Sequence, residues 1–155
     1  MTDLNKEAIS ILNDLIETSK DGQEGFKSCA EDVKDALLKN FFVQRSADCA
    51  KAAAELQAQV RALGGEPETS TSVAADLHRR WVDVKSMFTG KDDEAILNES
   101  ERGEEHALKA YNDAIKKINE HNLVGIRDLV ERQLHGVQRN HDQVKAYRND
   151  ARAKS

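Results

Sequence analysis

Apolar residues recur every three or four positions along most of this chain, which is the pattern of amphipathic helices. The first such stretch is expected to begin at an N-cap, Thr2 or Asp3, and to run to about Asp35. Gly22 and Gly25 lie in its middle. Because the apolar positions keep their phase across both glycines, the spacing predicts one continuous or slightly bent helix.

The same spacing predicts four more helices. The second helix should end at Gly64, because glycine readily adopts the left-handed conformation with which many helices end. The expected bounds of the four, in chain order, are residues 38–63, 73–88, 92 or 93 to 118, and 123–151.

The lengths of these helices predict an all-α fold, a four-helix bundle with a long crossover that carries the short fifth helix. Two long helices precede the short one and two follow it. About 16 helical residues, at 1.5 Å each, would return the chain along the bundle. An up-and-down array of five helices is the alternative. Because 155 residues is a common domain size, we expect residues 1–155 to form a single domain.

Composition and charge narrow the class of function. A net charge of −5 argues against binding nucleic acid, because proteins that bind polyanions usually carry a basic face. No apolar run approaches the roughly 18 residues that a membrane span needs, so no membrane contact is expected. The chain opens without an apolar leader, and Cys29 and Cys49 are far apart in sequence, which predicts a reducing, cytoplasmic setting.

One layer of the expected bundle carries polar side chains on its inward face. Glu104 falls on the apolar stripe of the third long helix, and Arg45 falls in the middle of the apolar face of the second. A buried carboxylate needs a partner, which can be an arginine, a metal ion or a shared proton. The residues expected at the depth of this layer are Gln23, Arg45, Glu104, Gln138 and His141.

Several short segments, taken together, resemble one protein family. They are residues 12–26, 63–67, 77–81, 101–105, 107–111 and 130–133. Through them the chain resembles a bacterial family of ferritin-like four-helix-bundle domains of unknown function, which is distantly similar to the rubrerythrins. The resemblance implies the ferritin-like bundle, allows a homodimer and assigns no activity.

The ferritin-like arrangement for two iron ions places a Glu on each of two helices and a Glu-x-x-His on each of the other two. This chain departs from it, because the second helix offers Asp48-x-x-Lys51 and the last helix offers Gln138-x-x-His141. The residues that remain as candidates would form either a degenerate di-iron centre or a site in which Glu101, Glu104 or Glu105 and His141 hold a single ion. These candidate ligands for iron or manganese are Asp48, Glu101, Glu104, Glu105 and His141.

We therefore expect a non-enzymatic bundle without a resident metal or cofactor, in which Arg45 pairs with Glu104 and the protein has a structural or interaction role. The alternative is an iron-binding oxidase, peroxidase or storage protein with a degenerate metal site. No catalytic residue is predicted, because neither cysteine has a base beside it on the same helix face. A homodimer through an alanine-rich or crossover face is expected, and the identity of a protein partner is left open.

Overall fold

Helices make up almost all of the part of the chain that the computed structural model describes, which is residues 2–68 and 93–154. They are α1 (Asp3–Asp32), α2 (Ala36–Ala62), α3 (Asp93–Glu120) and α4 (Val124–Lys154). Each bound lies within three residues of its expected position, and α1 is continuous across its glycines. The short helix expected at residues 73–88 lies outside the described residues. None of the described helices combines the length and the apolar character that crossing a membrane requires.

Capping side chains mark the start of α1 and of α2, and a glycine turn follows the end of α2. Thr2 Oγ1 accepts a hydrogen bond from the amide of Asn5 at 3.1 Å and so caps α1. The Asp35 carboxylate caps α2 by accepting hydrogen bonds from the amides of Leu37 and Leu38, at 2.8 and 3.1 Å. After α2 the backbone of Gly64 has a φ of +85°, so this turn favours glycine, as the sequence predicts.

The four described helices pack side by side, but not equally. α1 packs along α2 and along α3, and α3 packs along α4, whereas α2 and α4 meet at only a few points. Gly22 allows the close approach of α1 to α2, since a Cβ atom at this position would lie 2.9 Å from Cys49 Sγ. α2 and α3 therefore face each other across the interior of the bundle.

The core is divided into two apolar clusters with a polar layer between them. The first cluster includes Leu12, Leu56 and Val130, and the second includes Phe42 and Leu97. All four described helices pass from one cluster through the polar layer to the other. The buried polar residues at this intermediate depth are Ser19, Asp21, Arg45, Ser100, Glu101, Glu104 and Gln133.

Asp93, the first residue of α3, ties this helix to the joint between α1 and α2. Its Oδ1 accepts a hydrogen bond from the amide of Lys34 at 2.9 Å, and its Oδ2 accepts one from the amide of Asp35 at 3.0 Å. We expect Asp93→Ala to lower the free energy of unfolding by about 1 kcal/mol, because both exposed amides would return to water. Urea denaturation measures the change. The control is Asp113→Ala on the same helix, whose exposed pair with Lys109 should contribute far less, and equal losses in the two variants would contradict the prediction.

Candidate functional site

At the centre of the polar layer, Arg45 of α2 and Glu104 of α3 form a buried ion pair. Arg45 Nε and Nη2 both donate hydrogen bonds to Glu104 Oε1, at 3.1 and 3.0 Å. Only 5% of Arg45 and 1% of Glu104 is exposed. The guanidinium carbon also lies 5.0 Å from the centre of the Phe26 ring, which is within the range of a cation–π contact. The charges of Arg45 and Glu104 are thus each balanced by another side chain of the protein.

The protonation of this pair depends on burial and on the two charges together. Burial raises the pKa of Glu104, and the neighbouring Arg45 guanidinium offsets only part of that rise. Burial acts to lower the pKa of Arg45, but the nearby acidic groups, Glu104 first among them, outweigh it and the net shift is upward. Because arginine stays protonated in proteins, Glu104 is the member of the pair whose protonation state can change.

A second polar cluster centres on Tyr111 of α3. Its hydroxyl donates a hydrogen bond to Gln133 Oε1 at 2.8 Å and lies 3.4 Å from the Ser19 hydroxyl. Gln133 Nε2 donates in turn to Glu55 Oε1 at 3.2 Å, and Arg132 pairs with the same carboxylate at 3.1 Å. These bonds join α4 to α2 where the two backbones make few contacts. Burial raises the pKa of Tyr111 to about 12, so the hydroxyl keeps its proton and remains a donor.

A cavity of about 700 Å³ lies between the described helices, beside both polar clusters. Its lining includes Arg45, Cys49, Glu104, Tyr111 and Gln133. The volume falls within the range of small-molecule pockets, which is roughly 300–1,000 Å³. Burial raises the pKa of the Cys49 thiol to about 12, so this cysteine is a poor nucleophile. The cavity is therefore better suited to binding than to nucleophilic catalysis.

A third cluster joins α3 to α4 at the edge of the layer. One ligand atom from each of Glu101, Glu105 and His141 can be chosen so that all three atoms lie within 4.8 Å of one another. His141 Nε2 is 3.6 Å from Glu105 Oε1, and His141 Nδ1 is 3.5 Å from Asp142 Oδ1. Both separations are longer than a normal hydrogen bond. Arg148 Nη1 contacts Oε2 of Glu101.

The structure divides the expected inner layer between two of these clusters. Arg45 and Glu104 contact each other at the centre. His141 lies instead beside Glu105 and Glu101, so the candidate metal ligands of α3 point to two different partners. Glu104 faces Arg45 of α2, while Glu101 and Glu105 face α4.

Two other candidates lie at the border of the layer. Asp48 has a side chain that is 44% exposed, and it contacts Arg45 Nη1 at 3.4 Å. It also accepts a hydrogen bond from Gln44 at 2.9 Å. Gln23 is half-buried, and its backbone carbonyl accepts a hydrogen bond from the Ser46 hydroxyl at 2.8 Å. Asp48 is therefore a second, partly exposed partner of Arg45 and does not form a carboxylate cluster with Glu104.

The expected position of Gln138 in the inner layer is wrong. Gln138 is exposed, and its Nε2 donates a hydrogen bond to Asp142 Oδ1 at 3.1 Å. The side chain of Val137, one residue earlier, packs against the core. Successive positions on a helix are about 100° apart, which turns residue 138 toward solvent.

Two features of the polar layer were not predicted from the sequence: the Tyr111 cluster and the contact of Arg148 with Glu101. Tyr111 and Gln133 stand on buried stripes of two helices, and a polar residue on such a stripe signals a hydrogen bond within the core. The partner could not be identified because the register between α3 and α4 is a property of their packing. Arg148 follows the buried Val144 by one helical turn, which puts it near the buried face of α4, but its contact with Glu101 depends on how α4 packs against α3.

Sequence comparison places the chain in a family. The model for the family described as "Domain of unknown function (DUF2383)" matches residues 7–117. The chain belongs to this family. The matched region contains Arg45 and Glu104 and ends before α4, which carries His141. No curated protein matches the sequence.

Solved structures share the fold at low sequence identity. A ferritin-like diiron-carboxylate protein from Bacillus anthracis str. Ames has 18% identity and a TM-score of 0.75, with 96% of this chain and 99% of that chain covered. The bacterioferritin of Desulfovibrio desulfuricans has 15% identity and a TM-score of 0.75, with coverages of 99% and 86%. A protein from Xanthomonas campestris pv. campestris has 11% identity and a TM-score of 0.79, with coverages of 99% and 95%. The predicted ferritin-like four-helix bundle is thereby confirmed.

The donor atoms at the centre of this bundle do not fit a di-iron centre. Two iron ions need several carboxylates and two imidazoles on facing helices. Here the central carboxylate, Glu104, is bonded to Arg45, whose guanidinium has no lone pair to donate and repels a metal cation. The residue pairs with the Glu-x-x-His spacing, Asp48-x-x-Lys51 and Gln138-x-x-His141, lack the imidazole in the first case and the carboxylate in the second. The central layer is therefore built for an ion pair.

Proposed function

We propose that this protein is a non-enzymatic ferritin-like bundle in which the Arg45–Glu104 ion pair takes the place of redox metals, and that it acts as a structural or interaction protein. The pair itself carries this proposal. Both guanidinium contacts, at 3.1 and 3.0 Å, fall on one oxygen of a carboxylate that is 1% exposed.

A buried ion pair of this kind has a structural use. Taking two charges out of water costs several kcal/mol, and their attraction returns about as much only when the geometry is good. The pair therefore adds little net stability, but it penalises any packing that separates the two groups. Because α2 and α3 face each other across the bundle, the pair fixes the relative depth of these two helices.

The cavity supports an interaction role with a small molecule. Its roughly 700 Å³ lies against the ion pair and the Tyr111 hydroxyl, so a bound molecule would meet both charged and apolar surface. The Cys49 thiol in the lining is not activated for attack. A homodimer is the other interaction that we propose, since the alanine-rich run at residues 50–54 of α2 would let a second copy of the chain approach closely.

The competing function is an iron-binding oxidase, peroxidase or storage protein with a degenerate site. Metal-free protein mixed with excess Fe²⁺ in aerated buffer tests it through oxygen consumption and a native mass spectrum. We expect iron to oxidise no faster than in buffer, and no species with two irons per chain. A bacterioferritin treated in parallel is the positive control.

Paired irons together with accelerated oxygen consumption would overturn the proposed function. The same native mass spectrum reports whether the chain forms a homodimer and whether it retains a small molecule after purification.

A further inference from the structure

We propose that Glu101, Glu105 and His141 form a binding site for a single divalent transition-metal cation, at the edge of the polar layer between α3 and α4. This site lies beside the central ion pair and uses neither Arg45 nor Glu104 as a ligand. It also does not depend on the proposed function, because one bound ion without redox turnover is compatible with a non-enzymatic bundle.

The spacing of the ligand atoms is the first observation. Glu101 and Glu105 are four residues apart on α3, so their carboxylates lie on one face of the helix, and His141 meets them from α4. In a tetrahedral site with bonds of about 2.0–2.2 Å, two ligand atoms lie about 3.3–3.6 Å apart. The 3.6 Å between His141 Nε2 and Glu105 Oε1 fits this separation better than it fits a hydrogen bond.

The imidazole of His141 is the second observation. Its Nδ1 and Nε2 atoms are both shielded from solvent and make no hydrogen bond with the described residues. Buried polar atoms without a partner cost free energy. A cation bound to Nε2 would satisfy that nitrogen and leave Nδ1 facing Asp142 Oδ1 at 3.5 Å. A carboxylate behind a ligating histidine is the usual support for the ring orientation in metal sites.

The charges around the site favour a cation. Glu101 and Glu105 supply two negative charges and Asp142 a third, while Arg148 supplies one positive charge through its contact with Glu101 Oε2. Arg148 also holds Glu101 in place through Oε2, so a cation would have to bind Glu101 through Oε1. One imidazole with two carboxylates suits ions such as Zn²⁺ or Mn²⁺ better than Mg²⁺ or Ca²⁺, which prefer oxygen ligands alone.

Isothermal titration of ZnCl₂ into the full-length, metal-free protein at neutral pH tests the site, with MgCl₂ as the comparison. We expect one Zn²⁺ per chain and weaker binding of Mg²⁺. His141→Gln and Glu105→Gln should each weaken Zn²⁺ binding at least about 10-fold, a loss that even supporting residues cause in metal sites. Because the Glu105 side chain is 58% exposed, its variant should fold normally, and circular dichroism checks this.

Two matched variants control for zinc held elsewhere on the surface. His135→Gln on an exposed position of α4 and Glu120→Gln at the exposed end of α3 should bind Zn²⁺ as the wild type does. The proposal is overturned if the wild type binds no Zn²⁺, if binding survives Glu105→Gln unchanged, or if His135→Gln weakens binding as much as His141→Gln does. Failure of this site would leave the iron-oxidation result, and with it the proposed function, untouched.

Discussion

Replacing Glu104 with alanine is expected to lower the free energy of unfolding by about 3–5 kcal/mol, because Arg45 would be left buried without its partner. Arg45 is 5% exposed, so its guanidinium cannot reach water without repacking α2. Among the described residues Asp48 also contacts it, at 3.4 Å, but the Asp48 side chain is 44% exposed and cannot replace a buried carboxylate. Urea denaturation followed by circular dichroism, with a chelator present, measures the loss.

Two further variants separate the loss of the ion pair from other effects. Glu105→Ala, at the neighbouring exposed position, should change stability far less. Arg45→Met combined with Glu104→Leu removes both charges and should recover most of the stability that Glu104→Ala loses. A Glu104→Ala protein as stable as the wild type would contradict the pairing. If Glu104 served only to bind a metal, protein kept metal-free by the chelator would likewise show no loss of stability on this substitution.

Replacing Phe42 with alanine is expected to cost about 3–5 kcal/mol, because the change opens a cavity in the second apolar cluster. Phe42 is fully buried, its ring stacks on Phe26 with 6.1 Å between centroids, and Phe41 meets it edge-on at 5.4 Å. The Phe26 ring in turn lies under the Arg45 guanidinium. α2 cannot move inward to fill the space, since Arg45 is held by Glu104 one turn further along. Thermal and urea denaturation measure the effect.

The matched control is Val43→Ala, one residue further along α2. Val43 is 56% exposed, so the substitution should change the free energy of unfolding by no more than about 0.5 kcal/mol. A loss below about 1 kcal/mol in Phe42→Ala would show that the aromatic cluster contributes less to stability than its burial indicates. Similar losses in both variants would show that truncating a side chain on α2 is destabilising whether or not that side chain is packed in the core.

The helices could be predicted from the sequence because their signals are local. The spacing of apolar residues, the cap at Thr2 and the left-handed glycine at Gly64 each depend on a few neighbouring positions. The same is true of the continuity of α1, since helical phase is preserved across Gly22 and Gly25. Local signals of this kind do not depend on how the helices meet.

The candidate site could be predicted only in part. Arg45 and Glu104 are opposite charges on two apolar stripes, and burial leaves such groups few ways to be satisfied, so their approach could be anticipated. Gln138 could not be placed in the same way, because a rotation of about 100° separates an inward position from an exposed one. The sequence also left open which carboxylates of α3 lie beside His141, and the structure places Glu101 and Glu105 there.

By itself, the sequence determined the all-α class, the extents of the described helices and the presence of charged groups on their buried faces. The tertiary structure alone decided which groups meet: Arg45 with Glu104, His141 with two carboxylates of α3, and Tyr111 with Gln133 beside the cavity. Periodicity gives the direction of a side chain around its own helix axis. Contacts of a few ångströms also require the depth and rotation of one helix against another, which the packing of the two apolar clusters establishes.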